Sequence, residues 1–328
     1  MCTAISFHAG EHYFGRNLDL EYSYDEQIVI TPRQYPFFFG NGEALTEHYA
    51  MIGTAYVSDG YPLYYDGMNE KGLAMAALAF PGEAVYHENM REKLNITPYE
   101  LIPYILGKCD SVKKARLLLK NISLLSRPFC EELPLTPLHF IISDQKESLT
   151  AEPTEKGLLL YDNPFGVLTN SPSFDFHIKN LQAYMALSAE PMENRLSETL
   201  PFSPYSRGMG ALGLPGDLSS PSRFVRAVFT KENALASDTE EGNVHQFFHL
   251  LDSVKQIRGC VRLDEKYEYT VYSSCYNTAK GIYYYTAYEN RIITGIDMNQ
   301  YPKEGSSLLS FPLLKKAPLH IISPSSLE

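Results

Sequence analysis

The sequence predicts an α+β fold in which helices cover large antiparallel sheets, and three observations carry that prediction. Segments rich in tyrosine and β-branched residues recur along the chain, broken by Gly, Asn and Asp as hairpin-linked strands are. They cluster toward the two ends of the chain, with segments of helical period between them. No low-complexity stretch, charge block, repeat or linker interrupts the 328 residues, so one domain spanning 1–328 is expected.

Taken in order, "TAISF" and "HYFGRNLDL" flank a turn at His8-Ala9-Gly10-Glu11 and read as a hairpin. "HYAMIGTAYV" and "LAMAALAF" follow as strands. Thr97-Pro98-Tyr99-Glu100 is a capping box with proline at the first helical position, ahead of an apolar run. "SVKKARLLLKNI" keeps the helical period, and "LHFIISD" and "GLLLYD" return to strand. Three helices come next: "FDFHIKNLQAYMAL", opened by Ser171-Pro172; "SPSRFVRAVF", capped by Ser220 and started by Pro221; and "NVHQFFHLLDSV". "YEYTVYSSCYN", "GIYYYTAYE" and "RIITGIDM" close the set as strands.

Composition excludes partners. With 28 basic against 39 acidic residues the net charge is -11, which repels phosphate backbones and anionic lipid, so neither nucleic acid nor membrane surface is expected. There is no apolar run of about 18 residues and no signal-peptide pattern, which predicts a cytoplasmic, reduced protein. Cys2, Cys109, Cys130, Cys260 and Cys275 are odd in number and lack C-x-x-C or Cys/His ligand spacing, so no disulfide framework, metal or cofactor is expected. "GMGALG" at Gly208 to Gly213 matches a dinucleotide fingerprint by letter, but no strand precedes it and "LPGDLSSP" breaks any helix after it. A glycine-rich loop bordering a pocket is the better account.

Chemistry gathers at the N-terminus. If Met1 is trimmed, Cys2 carries a thiol and a free α-amine, so nucleophile and base belong to one residue. An α-amine with a pKa of roughly 7.7–8.0 can take the proton of a thiol near roughly 8.5, and such general-base help is worth roughly 10²–10⁴ in rate. "GRNLD" returns Arg16, Asn17 and Asp19 beside Cys2: the arginine favours thiolate and the aspartate can hold the ammonium. Alternation places Arg16 and Asp19 on opposite faces of a regular strand, so both serve only if the strand ends or bulges near Leu18. In "VLTNSPSFDFH", Asn170 stands between a strand and a helix, where its amide could donate to an oxyanion or simply form a turn. Arg223 falls in the first turn of its helix, an unfavourable place for a cation, which suggests either a compensating role or a surface salt bridge.

Together, "MCTAISF", "YFGRNLDLEYSY", "ITPR", "YDGMNEKGLAMAALAFPG", "VLTNSPSFDFHIKNL", "GLPGDLSSPSRFVRA", "FFHLL", "YSSCYN" and "GIYYYTAYENRIITGIDMN" resemble the choloylglycine hydrolase family, the bile salt hydrolases and penicillin V acylases of the N-terminal-nucleophile hydrolases. The resemblance covers nearly the whole chain. It implies a four-layer αββα sandwich of two antiparallel sheets covered by helices, and cleavage of a carboxamide through a thioester on Cys2. It also implies roles for Arg16, Asp19, Asn170 and Arg223 around that cysteine, with Asn17 structural, and a substrate-facing loop bearing Leu18, Leu20 and Tyr24. At Ala79 the chain departs: bile salt hydrolases of the family usually carry asparagine there and penicillin acylases often tyrosine. Only the backbone N–H of Ala79 is then left for an oxyanion hole. The expected activity is hydrolysis of the glycine or taurine amide of conjugated bile salts by a metal-free homotetramer. Penicillin V or another N-acyl amide is the alternative substrate, and a non-catalytic amphiphile-binding protein the second alternative. Ser206 and Arg207 in "SPYSRGMG" lean toward taurine conjugates.

Overall fold

The computed structural model describes residues 1–322. The strands of its two large sheets are β1 (Cys2–Ala9), β2 (Glu11–Leu20), β3 (Gln27–Thr31), β4 (Met51–Ser58), β5 (Tyr61–Asn69), β6 (Ala74–Ala79), β7 (Leu138–Ser143), β8 (Ser148–Thr154), β9 (Gly157–Asp162) and β10 (Val167–Leu168). Beyond the helices come β11 (Val261–Leu263), β12 (Lys266–Asn277), β13 (Ile282–Ala287), β14 (Asn290–Asp297) and β15 (Leu309–Pro312). One sheet of seven strands runs β10-β1-β2-β12-β13-β14, with β11 also paired to β12. The other, of eight strands, runs β9-β8-β7-β6-β5-β4-β3-β15, and the pairings in both are antiparallel.

Side-chain alternation makes the layers. Ile28 and Ile30, Ala74, Ala76 and Leu78, and Ile141 share a core with β1 and β2 between the sheets. Their neighbours Val29, Met75, Ala77, Phe140 and Ile142 face the other way, onto α1 (Leu101–Lys108) and α2 (Val112–Leu119). On the opposite side, α3 (Phe174–Leu181), α4 (Ser220–Asn233) and α5 (Glu240–Asp252) contribute Phe174, Phe224, Phe247 and Leu251 to the core of the seven-stranded sheet. The order helix, sheet, sheet, helix is the αββα sandwich that the resemblance implied. Close approach depends on Gly15, where a Cβ would stand 1.9 Å from the Ser274 carbonyl oxygen of the neighbouring strand.

Two helix starts differ from the sequence reading. Ser173, not Ser171-Pro172, stands before α3, and Ser219, not Ser220, before α4. Ser220 is already helical and its hydroxyl is engaged elsewhere. Leu18 and Leu20 also differ: they lie within β2 and not on a loop, because β2 stays paired to β12 as far as Leu20. Gly208 to Gly213 forms a single 3-10 turn at Met209–Ala211, with no strand before it. Its Gly210 packs where a Cβ would meet the carbonyl oxygens of Glu190 and Ser188 at 2.0 and 2.6 Å. This loop borders a cavity of about 650 Å³ lined by Ser188, Met192, Leu196, Phe202 and Tyr205.

Candidate active site

Cys2 opens β1 and pairs with Leu18 of β2, so Arg16, two residues from Leu18, shares its face between the sheets. The thiol-bearing residue is 3% exposed and Arg16, Asp19 and Arg223 are fully buried. The Arg16 guanidinium reaches the eight-stranded sheet, where Nη1 donates to the carbonyls of Ala77 and Tyr65, the latter at 3.2 Å, and Nε donates to its neighbour Asn17. Its Nη2 has no partner among the described residues. Burial opposes the Arg16 charge, but Cys2, Tyr272, Asp66 and Asp19 outweigh it and hold its pKa above the ordinary value.

Asp19 lies on the outer face of β2, where Thr270 Oγ1 donates to Oδ1 at 2.6 Å and Oδ2 is buried without a partner among the described residues. Burial pushes its carboxyl up from the ordinary carboxylate range, against the chain's ammonium, Arg223, the Thr270 hydroxyl and Arg16. For both residues to serve Cys2, β2 was expected to end or bulge near Leu18; it does neither, and stays paired to β12 as far as Leu20. The extra residue lies in the partner strand, where Thr270 pairs with Asp19 and Tyr272 with Leu18, leaving Val271 unpaired with β2.

Arg223 comes from the first turn of α4 and turns its guanidinium away from the helix, onto β1. Nη1 donates to the Cys2 carbonyl and to Thr3 Oγ1, both at 2.6 Å, and Nη2 to Asn170 Oδ1 at 2.7 Å. These acceptors account for a cation at a helix start. Because a guanidinium only donates, the Asn170 atom facing it is fixed as oxygen. That oxygen also accepts the Cys2 N–H at 2.8 Å, and Asn170 Nδ2 donates to the Ala79 carbonyl at 2.7 Å.

The backbone of Asn170 is held by Ser220, which the sequence reading took for a helix cap, and by His177, to which it gave no role. The Asn170 N–H donates to Ser220 Oγ at 2.8 Å and its carbonyl accepts from His177 Nε2 at 2.8 Å. The imidazole is neutral at ordinary pH, since burial lowers its pKa to about 4. The signal available was two helix-start serines in a row, Ser219 and Ser220, of which only one can cap. Ala79 ends β6. Phe80 N donates to Pro137 O at 2.9 Å while Leu138 N turns to Tyr86 Oη at 2.7 Å, which makes Ala79–Leu138 a non-hydrogen-bonded pair. Both the N–H and the C=O of Ala79 therefore point away from β7, and the C=O meets Asn170.

The remaining candidates are spread further out. Leu18 is buried in the inter-sheet core and Leu20 half-buried against it. Tyr24 is partly exposed in the loop after β2, bonded to the Tyr22 hydroxyl at 2.8 Å. Asn17 bridges to α5 through Leu251 O at 2.9 Å and accepts from Ser273 Oγ at 2.7 Å, a structural position. Ser206 and Arg207 are exposed. Among the described residues, no group of three or more His, Cys, Asp or Glu is arranged to hold a metal ion.

A buried thiol residue, two buried guanidiniums, a carboxylate with a free oxygen and a fixed amide suit acyl transfer from an amide. The comparisons agree. Residues 2–311 match the model of linear amide C–N hydrolases, choloylglycine hydrolase family. The chain is 49% identical over 324 residues to a bile salt hydrolase/transferase of Lactiplantibacillus plantarum, covering 98% of this chain and 100% of that one. It is 38% identical to a bile salt hydrolase/transferase of Clostridium perfringens, covering 95% and 96%. A crystal structure of a mutant conjugated bile acid hydrolase from Clostridium perfringens superposes with a TM-score of 0.91 at 36% identity, over 98% of this chain and 100% of that one. The penicillin V acylase of Agrobacterium tumefaciens shares the fold, with a TM-score of 0.75 at 20% identity over 94% and 90%. From Cys2 through β15 the chain is thus a member of the choloylglycine hydrolase family, a carbon–nitrogen amide hydrolase.

Proposed function

We propose that the protein hydrolyses the amide of conjugated bile salts, and that its catalytic unit begins at Cys2 once Met1 is removed. The observation that carries this reading is the Cys2 nitrogen itself, 2.8 Å from an Asn170 oxygen that Arg223 holds in place. Freed of Met1, that nitrogen is the base for its own thiol. Sγ attacks the amide carbon as its proton passes to the α-amine, and Arg16 favours the thiolate from between the sheets. The oxyanion is met by the second Nδ2 proton of Asn170 and the N–H of Ala79. The ammonium then protonates the leaving nitrogen, the C–N bond breaks and a Cys2 thioester remains. Water, deprotonated by the same amine, attacks the thioester and releases the free acid and the thiol. The free Asp19 oxygen is the acceptor for the ammonium formed on the way.

Relatives named for bile salts at 49% and 38% identity support the steroid conjugate as substrate, with Leu18, Leu20 and Tyr24 on the acyl side. Arg207 favours the sulfonate of taurine. We place the enzyme in the cytoplasm as a homotetramer; among the described residues no helix is long and apolar enough to cross a membrane, and Met185, Leu196, Phe202 and Tyr205 offer exposed apolar contacts. Amine release from taurocholate, glycocholate and penicillin V tests the reading. Taurocholate turned over fastest is the expected result, penicillin V fastest would make the protein an acylase, and no release from any would leave an amphiphile binder.

A further inference from the structure

Glu268 stands on β12, two residues before the Thr270 that holds Asp19. It is 8% exposed, and its two oxygens are in different situations. Oε1 accepts from the Met1 ammonium at 2.7 Å, and Oε2 is buried with no partner among the described residues. The same ammonium donates to the Asp19 carbonyl at 2.9 Å. Once Met1 leaves, Glu268 loses the one partner it has, while a new amino group appears on Cys2, roughly 3–4 Å along the backbone from the nitrogen it replaces. An unpaired buried carboxylate is costly, and an ammonium within a few ångströms is the natural remedy.

We infer that Glu268 is the counter-ion of the Cys2 α-amino group in the mature chain, a positioning residue for the proton transfer that the proposed function assigns to that amine. The charged groups around the amine support this. From β2 come Arg16 and Asp19, from α4 Arg223 and from β12 Glu268; Asp66 of β5 lies behind Arg16, bound by the hydroxyls of Tyr272, Tyr276 and Ser274. Without Glu268, two guanidiniums would face the amine against the single carboxylate of Asp19, and they would drive the proton off it. With Glu268 the count is even. When Cys2 Sγ attacks, its proton goes to the amine, Glu268 and the free Asp19 oxygen together hold the resulting ammonium, and that proton leaves with the nitrogen of the product.

The test follows alkylation of Cys2 by iodoacetamide as a function of pH, read on the N-terminal peptide by mass spectrometry so that the other cysteines do not contribute. Intact mass first establishes that each protein begins at Cys2. Removing a negative charge lets both the ammonium and the thiol lose protons sooner. In Glu268→Gln the alkylation profile should therefore move to lower pH by about half a unit or more, and Glu268→Ala should do the same if the glutamine variant does not fold. Glu268→Asp, which keeps the charge, should stay closer to the wild type. A Glu268→Gln or Glu268→Ala profile that coincides with the wild type overturns the inference and leaves Cys2 chemistry intact. Fully active wild type that retains Met1 overturns the proposed function instead.

Discussion

Replacing Asn170 by alanine removes one amide and leaves three neighbours without a partner: Arg223 Nη2 at 2.7 Å, the Cys2 nitrogen at 2.8 Å and the Ala79 carbonyl at 2.7 Å. Arg223 keeps the Cys2 carbonyl, Thr3 and Leu218, so its charge is not abandoned. One charged orphan and two backbone ones, partly rehydrated in the space left, should cost about 2–4 kcal/mol of stability. Loss of one oxyanion donor should lower kcat by roughly 10²–10³. Asn170→Asp separates these effects. It returns an oxygen to Arg223 and Cys2 but sets a second oxygen against the Ala79 carbonyl and offers no N–H to the oxyanion. Turnover should fall at least as far as in Asn170→Ala, although Arg223 has its partner back. Steady-state amine release gives kcat and urea unfolding gives stability. An Asn170→Asp enzyme keeping more than about a tenth of wild-type kcat would refute the donor assignment, and an Asn170→Ala protein as stable as the wild type would mean that the network holds nothing.

Three further outcomes follow. Cys2→Ala should abolish turnover yet cost only about 1 kcal/mol in urea unfolding, because the side chain is small though 3% exposed. Ala79→Asn should change the ratio of taurocholate to penicillin V turnover by roughly tenfold to a hundredfold, as an added amide left unpaired against one substrate costs about 1–3 kcal/mol; an equal gain of tenfold on both would show that position 79 limits the chemistry. Burial lowers the pKa of His12 to about 3 and that of His177 to about 4, with the charge of His8 adding to the former. The unfolded chain then binds more protons below about 6.5, so this stability is intact above that pH and lost as pH falls toward the folded values. From pH 6.5 to 5.5 each histidine should remove about 1 kcal/mol. His12→Gln should halve that loss in urea midpoints, and an unchanged slope would rule out His12 as its source.

The hairpins and helices that follow a simple period were legible in the sequence, and two strands that carry buried charge beside proline or glycine were not. β5 reads "YPLYYDGMN" and β8 "SLTAEPT", so Pro62, Asp66, Gly67, Glu152 and Pro153 look like breaks. The fold keeps them by satisfying the charges: Asp66 accepts from two tyrosine hydroxyls, and Glu152 from His139 and the Phe174 N–H. Partners that distant are invisible to a local pattern. At the candidate site, Cys2, Arg16, Asp19, Asn170 and Arg223 could be singled out in the sequence, but the residues alone left turn and salt-bridge readings open and it was the resemblance that implied their roles. Thr270, Ser220, His177 and Glu268 were not legible as site residues, since an ordinary hydroxyl, imidazole or carboxylate acquires its role from strands and helices far away in sequence. The carbonyls of Ala77 and Ala79 carry no residue signature at all.

One extra residue reconciles the two faces of β2. In a regular strand Thr270 and Tyr272 would point the same way, yet Thr270 donates to Asp19 on the outer face and Tyr272 to Asp66 between the sheets. Val271, the added residue of the bulge, reverses the alternation between them. A single strand thereby supports the carboxylate on one side of the Cys2 backbone and, through Asp66, the field around Arg16 on the other. Ser274, further along β12, ties the same pair together: it accepts the Arg16 N–H at 3.2 Å and donates to Asp66 at 3.2 Å. Arg16 and Asp19 thus approach the Cys2 backbone from opposite faces of β2, where β1 begins.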